Sequence, residues 1–465
     1  MQRRADLPER SRHTTRFVWF LSYTVREAHE IPRETFEVSF QTEPRRLRFV
    51  FMTDIPGPSH GQLTLLHTLN GHEERVWHAD WCVCQGRVVL ATCSADRRIA
   101  LWQVPPDAGA PVLLETLDGS HTGTVRHVAF SPDGRLLASA SFDKTVVVWG
   151  VARGGGGDAS DEAVDDIVDN DDDDGAFNES LPLTILEGHE SEVKGVAWNP
   201  NGGMLATCGR DKTVWFWEQS ECGRGTDAFL ELDFEVIDVK HGHTQDVKTV
   251  AWDPSGEMLV SVSYDDSIKV WRESEDTDEW VCACTVEHAH ESTVWDVRFV
   301  GDDSVPAEAA AAAGPSSRSP RSSQQMHMVT CGDDRCVKVW EVFQEQAGDD
   351  FGSASTVVRC VATLRGLHDR PVYSVDVLRR GDKLLVASGG GDDSIVVVEV
   401  DVGGGVGDGD GAGSSEVKAV VPSAHAQDVN CVRWLPQMVG GGAGEMLTLA
   451  SCGDDGDVRL WGLLA

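Results

Sequence analysis

Residues 243–273 read HTQDVKTVAWDPSGEMLVSVSYDDSIKVWRE, and this stretch decides the fold. Apolar residues alternate from Val247 to Trp252, which is the period of a strand with one buried face. Asp253-Pro254-Ser255-Gly256 is a turn, since proline and glycine suit the dihedral angles a tight reversal needs. A second apolar strand follows, then a tight turn at Tyr264-Asp265-Asp266, then a third strand ending in Trp271. His243 stands before the first strand, Ser261 on the second, Asp265 in the turn and Trp271 on the third. Four polar or half-polar side chains are thereby spaced to link the strands of one small sheet.

The same wording recurs along the chain. The leading histidines are His72, His121, His189, His243, His290, His368 and His425, and the turn aspartates are Asp96, Asp143, Asp211, Asp265, Asp334, Asp392 and Asp455. Four residues before each aspartate stands a hydroxyl: Thr92, Ser139, Thr207, Ser261, Thr330, Ser388 and Ser451. Six residues after it stand Trp102, Trp149, Trp217, Trp271, Trp340, Val398 and Trp461. A carboxylate, a hydroxyl and an aromatic held in register seven times mark a structural unit, because such a network satisfies buried polar atoms and pins strand geometry. The pattern resembles the WD40 repeat, which implies an all-β, seven-bladed β-propeller of four-stranded blades. Val398 breaks it, so the sixth unit is expected to be one hydrogen bond short. The last unit has only three strands after its histidine, and Leu63–Leu69 is expected to supply the fourth and close the ring.

Outside the repeats the composition changes. Residues 1–60 carry ten arginines, eight acids and no lysine, match no repeat and are expected to be a disordered extension; 61–465 are assigned to the propeller. Inserts are expected at 154–179, an acidic stretch placed between blades two and three, at 302–325 inside blade five, and at the glycine-rich 403–415 and 439–444. The chain has 465 residues and a formal charge of −36, which disfavours nucleic acid or an anionic membrane as partner and suits protein partners. No run of 18 apolar residues and no secretory signal is visible, so a cytoplasmic location is expected, with the nucleus as a second one. Twelve cysteines are scattered; the pairs Cys82/Cys84 and Cys282/Cys284 read as reduced thiols packed in a sheet rather than as a metal site.

Enzyme chemistry is disfavoured. Seven equivalent Ser/Thr–His–Asp sets cannot each be a nucleophilic site, which requires one activated group in one cleft. No nucleophile elbow, phosphate loop or zinc-protease motif appears. The pairs Asp333-Asp334, Asp392-Asp393 and Asp454-Asp455 each include a repeat aspartate. No catalytic residue, metal or cofactor is therefore expected.

A partner is expected at the turns around the channel, where binding groups sit on a rigid frame. Just before the turn aspartates, blades two, three and four present Phe142, Arg210 and Tyr264. The residue after each first-strand valine is Trp77, Arg126, Lys194, Lys248, Trp295, Tyr373 or Asn430. Basic residues thus fall on blades two to four and aromatics on blades five, six and one, which suggests docking of an acidic or carboxylate-bearing segment.

CGRDKTVWFWE (208–218), residues 243–273 and HAHESTVWDVRF (288–299), together with the Asp278–Trp280 stretch, resemble the WD40 family of cytosolic iron–sulfur protein assembly across all seven repeats. That resemblance implies a non-catalytic scaffold in a targeting complex with a small partner protein and a large HEAT-repeat adaptor. The complex would receive clusters through an iron-only-hydrogenase-like carrier and deliver them to cytosolic and nuclear apoproteins. It also implies a partner contact for Arg210, in the family's Arg-Asp-Lys turn. The competing class is a general WD40 interaction module, such as a ubiquitin-ligase substrate receptor or a histone-tail reader. The Trp-Asp-x-Arg string at Trp295–Arg298 resembles a ligase-adaptor motif but falls in a first strand.

Overall fold

The computed structural model describes residues 62–464 except 85, 106–108, 152–178, 221–231, 275–276, 278, 301–325, 346–354, 404–413 and 437–445. The extension 1–60 and most of each insert therefore lie outside the described residues. Among those described, every regular element is a strand: 28 strands form seven antiparallel sheets of four. Blade four shows the plan, with strands Val247–Trp252, Met258–Ser263, Ile268–Glu273 and Trp280–Val286 from the channel outward. Its second strand is buried at every position, whereas most of its fourth is exposed or half-buried. Inner strands are covered on both faces by the neighbouring blades, so they read as continuous apolar runs; the fourth strands meet water.

The cores lie between blades. Ala206, Val214 and Phe216 of blade three pack on Val250, Trp252 and Leu259 of blade four. Trp280 closes this layer, with its ring stacked 4.3 Å from Phe216 and edge-on to Trp252 at 5.2 Å. Ring closure follows the sequence expectation: Thr64–Leu69 pairs antiparallel with Val458–Leu464 as the outer strand of blade seven.

Two expectations are corrected. The acidic insert does not separate blades two and three; it falls inside blade two, between its third strand Val146–Gly150 and its fourth, Leu181–Leu186. The repeat read from its histidine ends at the tryptophan, so the outer strand beyond the insert looked like part of the next unit. Nor are all the paired cysteines packed away. Cys82 is buried, but Cys282 is exposed and Cys284 half-buried on the outer strand of blade four. A β-bulge at that point interrupts the alternation on which a common buried face depended. The side chain of Cys84 lies outside the description.

Candidate protein-binding site at the channel mouth

In six blades the four marked side chains form one hydrogen-bonded chain, and in blade six three of them do. The histidine Nδ1 lies 2.7–3.1 Å from the turn aspartate, and its Nε2 lies 2.7–2.9 Å from the Ser or Thr oxygen. In six blades the tryptophan Nε1–H donates to that oxygen at 2.8–3.1 Å. Indole can only donate, so the hydroxyl proton is free for Nε2 and the histidine carries its own proton on Nδ1, toward the aspartate. Val398 supplies no such donor in blade six, where Ser388 keeps only the bond to His368 and a long one of 3.4 Å to the Val396 carbonyl. Each aspartate also accepts the backbone N–H of the residue after the histidine, at 2.8–3.1 Å. Burial opposes ionisation of Asp211 and Asp455, but the histidine bond and the backbone donors outweigh it and hold both at about 2. The other five are likewise pushed below the usual carboxylate range.

The same turn has a backbone feature that composition did not show. The residue after each aspartate, Arg97, Lys144, Lys212, Asp266, Arg335, Asp393 or Gly456, has φ between 62° and 81°. Only Gly456 adopts this left-handed conformation freely. In all seven blades the aspartate side chain bridges this left-handed residue by accepting the next N–H at 2.9–3.3 Å.

A second repeated device aims side chains at the channel mouth. Every first strand begins with a bulge directly after its valine. The unpaired residues are Trp77, Arg126, Lys194, Lys248, Trp295, Tyr373 and Asn430, the positions read from the sequence as candidate contacts. A bulge residue is released from the ladder and can be re-aimed, which is why bulges gather beside functional sites. Arg126 lies over the Trp77 ring at 4.9 Å, and Lys248 lies 4.2 Å from the Trp295 ring centre and 4.9 Å from that of Tyr264. Trp295 meets Tyr373 edge-on at 5.2 Å and donates to Asp333 at 2.5 Å. Burial and the neighbouring cations Lys194 and Arg126 bring the Lys248 ammonium down to about 8.

The charges are less free than the sequence suggests. Lys194 is paired with Asp246 at 2.5 Å, and Arg210 with Glu192 at 3.0 Å, although the Arg210 side chain is 57% exposed. Tyr264 is exposed and Phe142 half-buried. Among the described residues, Arg126 and Lys248 are held by rings rather than by carboxylates. Across the mouth the sign reverses. Asn430 donates to Asp454 at 2.8 Å, and burial together with Asp454 raises the pKa of Asp428.

The family model for the WD domain, G-beta repeat, matches residues 63–103, 112–150, 180–218, 234–272, 280–341 and 417–462. The chain is 34% identical to Probable cytosolic iron-sulfur protein assembly protein 1 of Vanderwaltozyma polyspora, over 86% of this chain and 99% of the relative. It is 33% identical to the protein of the same name from Candida albicans, over 85% of this chain and 99% of the relative. A third, from Chaetomium globosum, is 33% identical over 60% and 64% of the two chains. The chain belongs to this WD40 family of cytosolic iron–sulfur protein assembly proteins. The first three strands of its sixth blade, where Val398 replaces tryptophan, lie outside the matched stretches.

In this family member a further polar system lines the channel, and the repeat pattern concealed it. The third residue of each first strand is His78, His127, Gly195, Thr249, Asp296, Ser374 or Cys431. The fifth is Asp80, Ala129, Ala197, Ala251, Arg298, Asp376 or Arg433. Arg433, 4% exposed, donates to Asp296 at 3.2 Å, Ser374 at 2.9 Å, the Val375 carbonyl at 3.1 Å and His78 at 2.9 Å. Asp80 accepts the Phe130 N–H at 2.8 Å and Asp376 that of Trp434 at 2.6 Å, each a bond to the next blade. Trp81, Trp198 and Trp252 donate to the carbonyls of Arg433, Ala129 and Ala197 in the preceding blade. Charged residues at strand position five on blades five, six, seven and one were the available signal. Among the described residues no three His, Cys, Asp or Glu side chains converge to hold a metal.

Proposed function

We propose that the protein is a non-catalytic cytoplasmic scaffold in cytosolic iron–sulfur protein assembly, and that its channel mouth over blades two to four docks an acidic or carboxylate-bearing segment of a partner. The assembly role rests on the names of its relatives. The docking site rests on one observation: Arg126 and Lys248 are presented by bulges at the mouth, ring-supported and without a carboxylate partner among the described residues. Aromatic and arginine anchors on a rigid frame are the usual core of an interface. Arg210 joins them by giving up an exposed pair with Glu192, which costs little, about 0–1 kcal/mol. A targeting complex containing a small partner protein, a HEAT-repeat adaptor and an iron-only-hydrogenase-like carrier, serving cytosolic and nuclear apoproteins, is the proposed setting. Phe142, Tyr264, Trp77, Lys194, Trp295 and Tyr373 are the proposed flanking contacts.

Affinity purification from cytosol tests this. The wild-type chain is expected to retain iron–sulfur assembly components, and Arg210→Glu to lose them with an unchanged melting temperature. Retention by Arg210→Glu and by Lys248→Glu would remove the site; cullin adaptors or histones in the wild-type eluate would replace the assembly role.

A further inference from the structure

The opposite mouth of the channel holds a cavity of about 400 Å³. It lies inside the turns that follow the first strands of blades two, three and four, and Pro132, Pro200 and Pro254 line it. Its cause is legible in the first strands. At position five, blades five, six, seven and one fill the channel with Arg298, Asp376, Arg433 and Asp80, whereas blades two, three and four place Ala129, Ala197 and Ala251 there. Three methyl groups in place of long charged chains leave the space. The rings of Phe130, Trp198 and Trp252 make its walls apolar.

The remaining lining is polar and incompletely satisfied. His127 is 6% exposed and stacks on His78 with ring centres 3.6 Å apart, yet its buried Nδ1 has no hydrogen-bond partner among the described residues. His78 accepts at Nε2 from Arg433 and, at 3.3 Å, from Arg298, so its proton sits on Nδ1, which has no partner. Among the described residues Arg298 has no carboxylate within 4.0 Å, and its Nε is unpaired. The other charges of the channel are committed: Arg433 to Asp296, Asp80 to the Phe130 N–H and Asp376 to the Trp434 N–H. This end of the channel thus has unmet donors at Arg298 Nε and on the two histidines, beside the Asp80 carboxylate that also lines the cavity. Each unmet buried donor costs about 1–3 kcal/mol, which an acceptor-rich group would recover. A cavity of this size, with apolar walls and a few convergent polar groups, has the form of a small-molecule site.

We propose that this cavity binds a small organic anion, a carboxylate on an apolar body, with the carboxylate on Arg298 and His127 and the body between Phe130, Trp198 and Trp252. The site is separate from the docking mouth: Lys194 and Trp198 stand at the two ends of one first strand, and the proposal does not depend on the docking reading. Calorimetric titration of the full chain with 4-phenylbutyrate, and with 4-phenylbutyramide as its uncharged counterpart, tests it. The acid is expected to bind saturably with a Kd below about 1 mM, and the amide roughly tenfold more weakly, because the charge-assisted bond is lost. Arg298→Gln should weaken the acid roughly tenfold while partner retention at the other mouth persists. Since that change also removes a bond to His78, Ala197→Phe is the second variant; it fills the cavity and leaves Arg298 and both histidines in place. Absence of saturation, equal binding of acid and amide, or unaltered binding in both variants would overturn the proposal.

Discussion

Two buried polar systems brace the ring, one inside each blade and one across blades at the channel. The first is repeated seven times and each copy is complete within about fifty residues, except blade six, which lacks the indole donor. The second occurs once. Its central pair of Arg433 and His78 are 355 positions apart and meet only when the ring closes. The first is built from a neutral donor chain ending on a carboxylate that sits at the surface end of a turn. The second places full charges, Arg433 and Asp296, where water is excluded. The contrast teaches how the work is divided. Repeated networks set strand geometry and are individually replaceable; the single network sets the order and closure of blades and has no copy to share its load.

This comparison can be broken or sharpened by measurement. The largest effect comes from acid, which reaches all seven turn aspartates together. Their pKa values are depressed in the folded state, so the stability they contribute is present above the unfolded value of about 3.9 and disappears as pH falls through about 2. Melting temperature against pH should therefore hold above pH ~4 and collapse below it; a collapse centred near pH 6 would contradict the assignment. Next, Arg433→Met leaves Asp296 buried without its cation and is expected to cost about 3–5 kcal/mol, read from the denaturant midpoint. Adding Asp296→Leu to that variant should recover part of the loss.

Asp265→Ala strands the Nδ1–H of His243 and the backbone N–H groups of Thr244 and Ser267, and is expected to cost about 2–3 kcal/mol, less than Arg433→Met. If the two losses were equal, the distinction between repeated and single networks would fail. Smallest is Trp271→Phe, which keeps the ring in the core and removes one donor to Ser261 at 2.8 Å; about 0.5–1.5 kcal/mol is expected by melting. Blade six already lives with that deficit at Val398.

The candidate site was partly legible. Its positions could be counted from the valine of each repeat, because one bulge recurs in each first strand. Whether those charges are free could not be counted. Asp246 neutralises Lys194 from the adjacent blade, and Glu192 reaches Arg210 across a turn. The placement of the acidic insert failed for a related reason: the histidine-to-tryptophan unit says nothing about the outer strand that follows a long interruption.

Sequence alone determined the seven blades, their hydrogen-bonded quartets and the closing strand, because each depends on offsets of a few residues that the backbone geometry of a strand or turn translates directly into distance. Tertiary structure alone decided which channel charges neutralise one another, where three alanines leave space and which cations remain for a partner. Those outcomes depend on residues from different blades, and their separation is set by closure of the ring rather than by any local spacing.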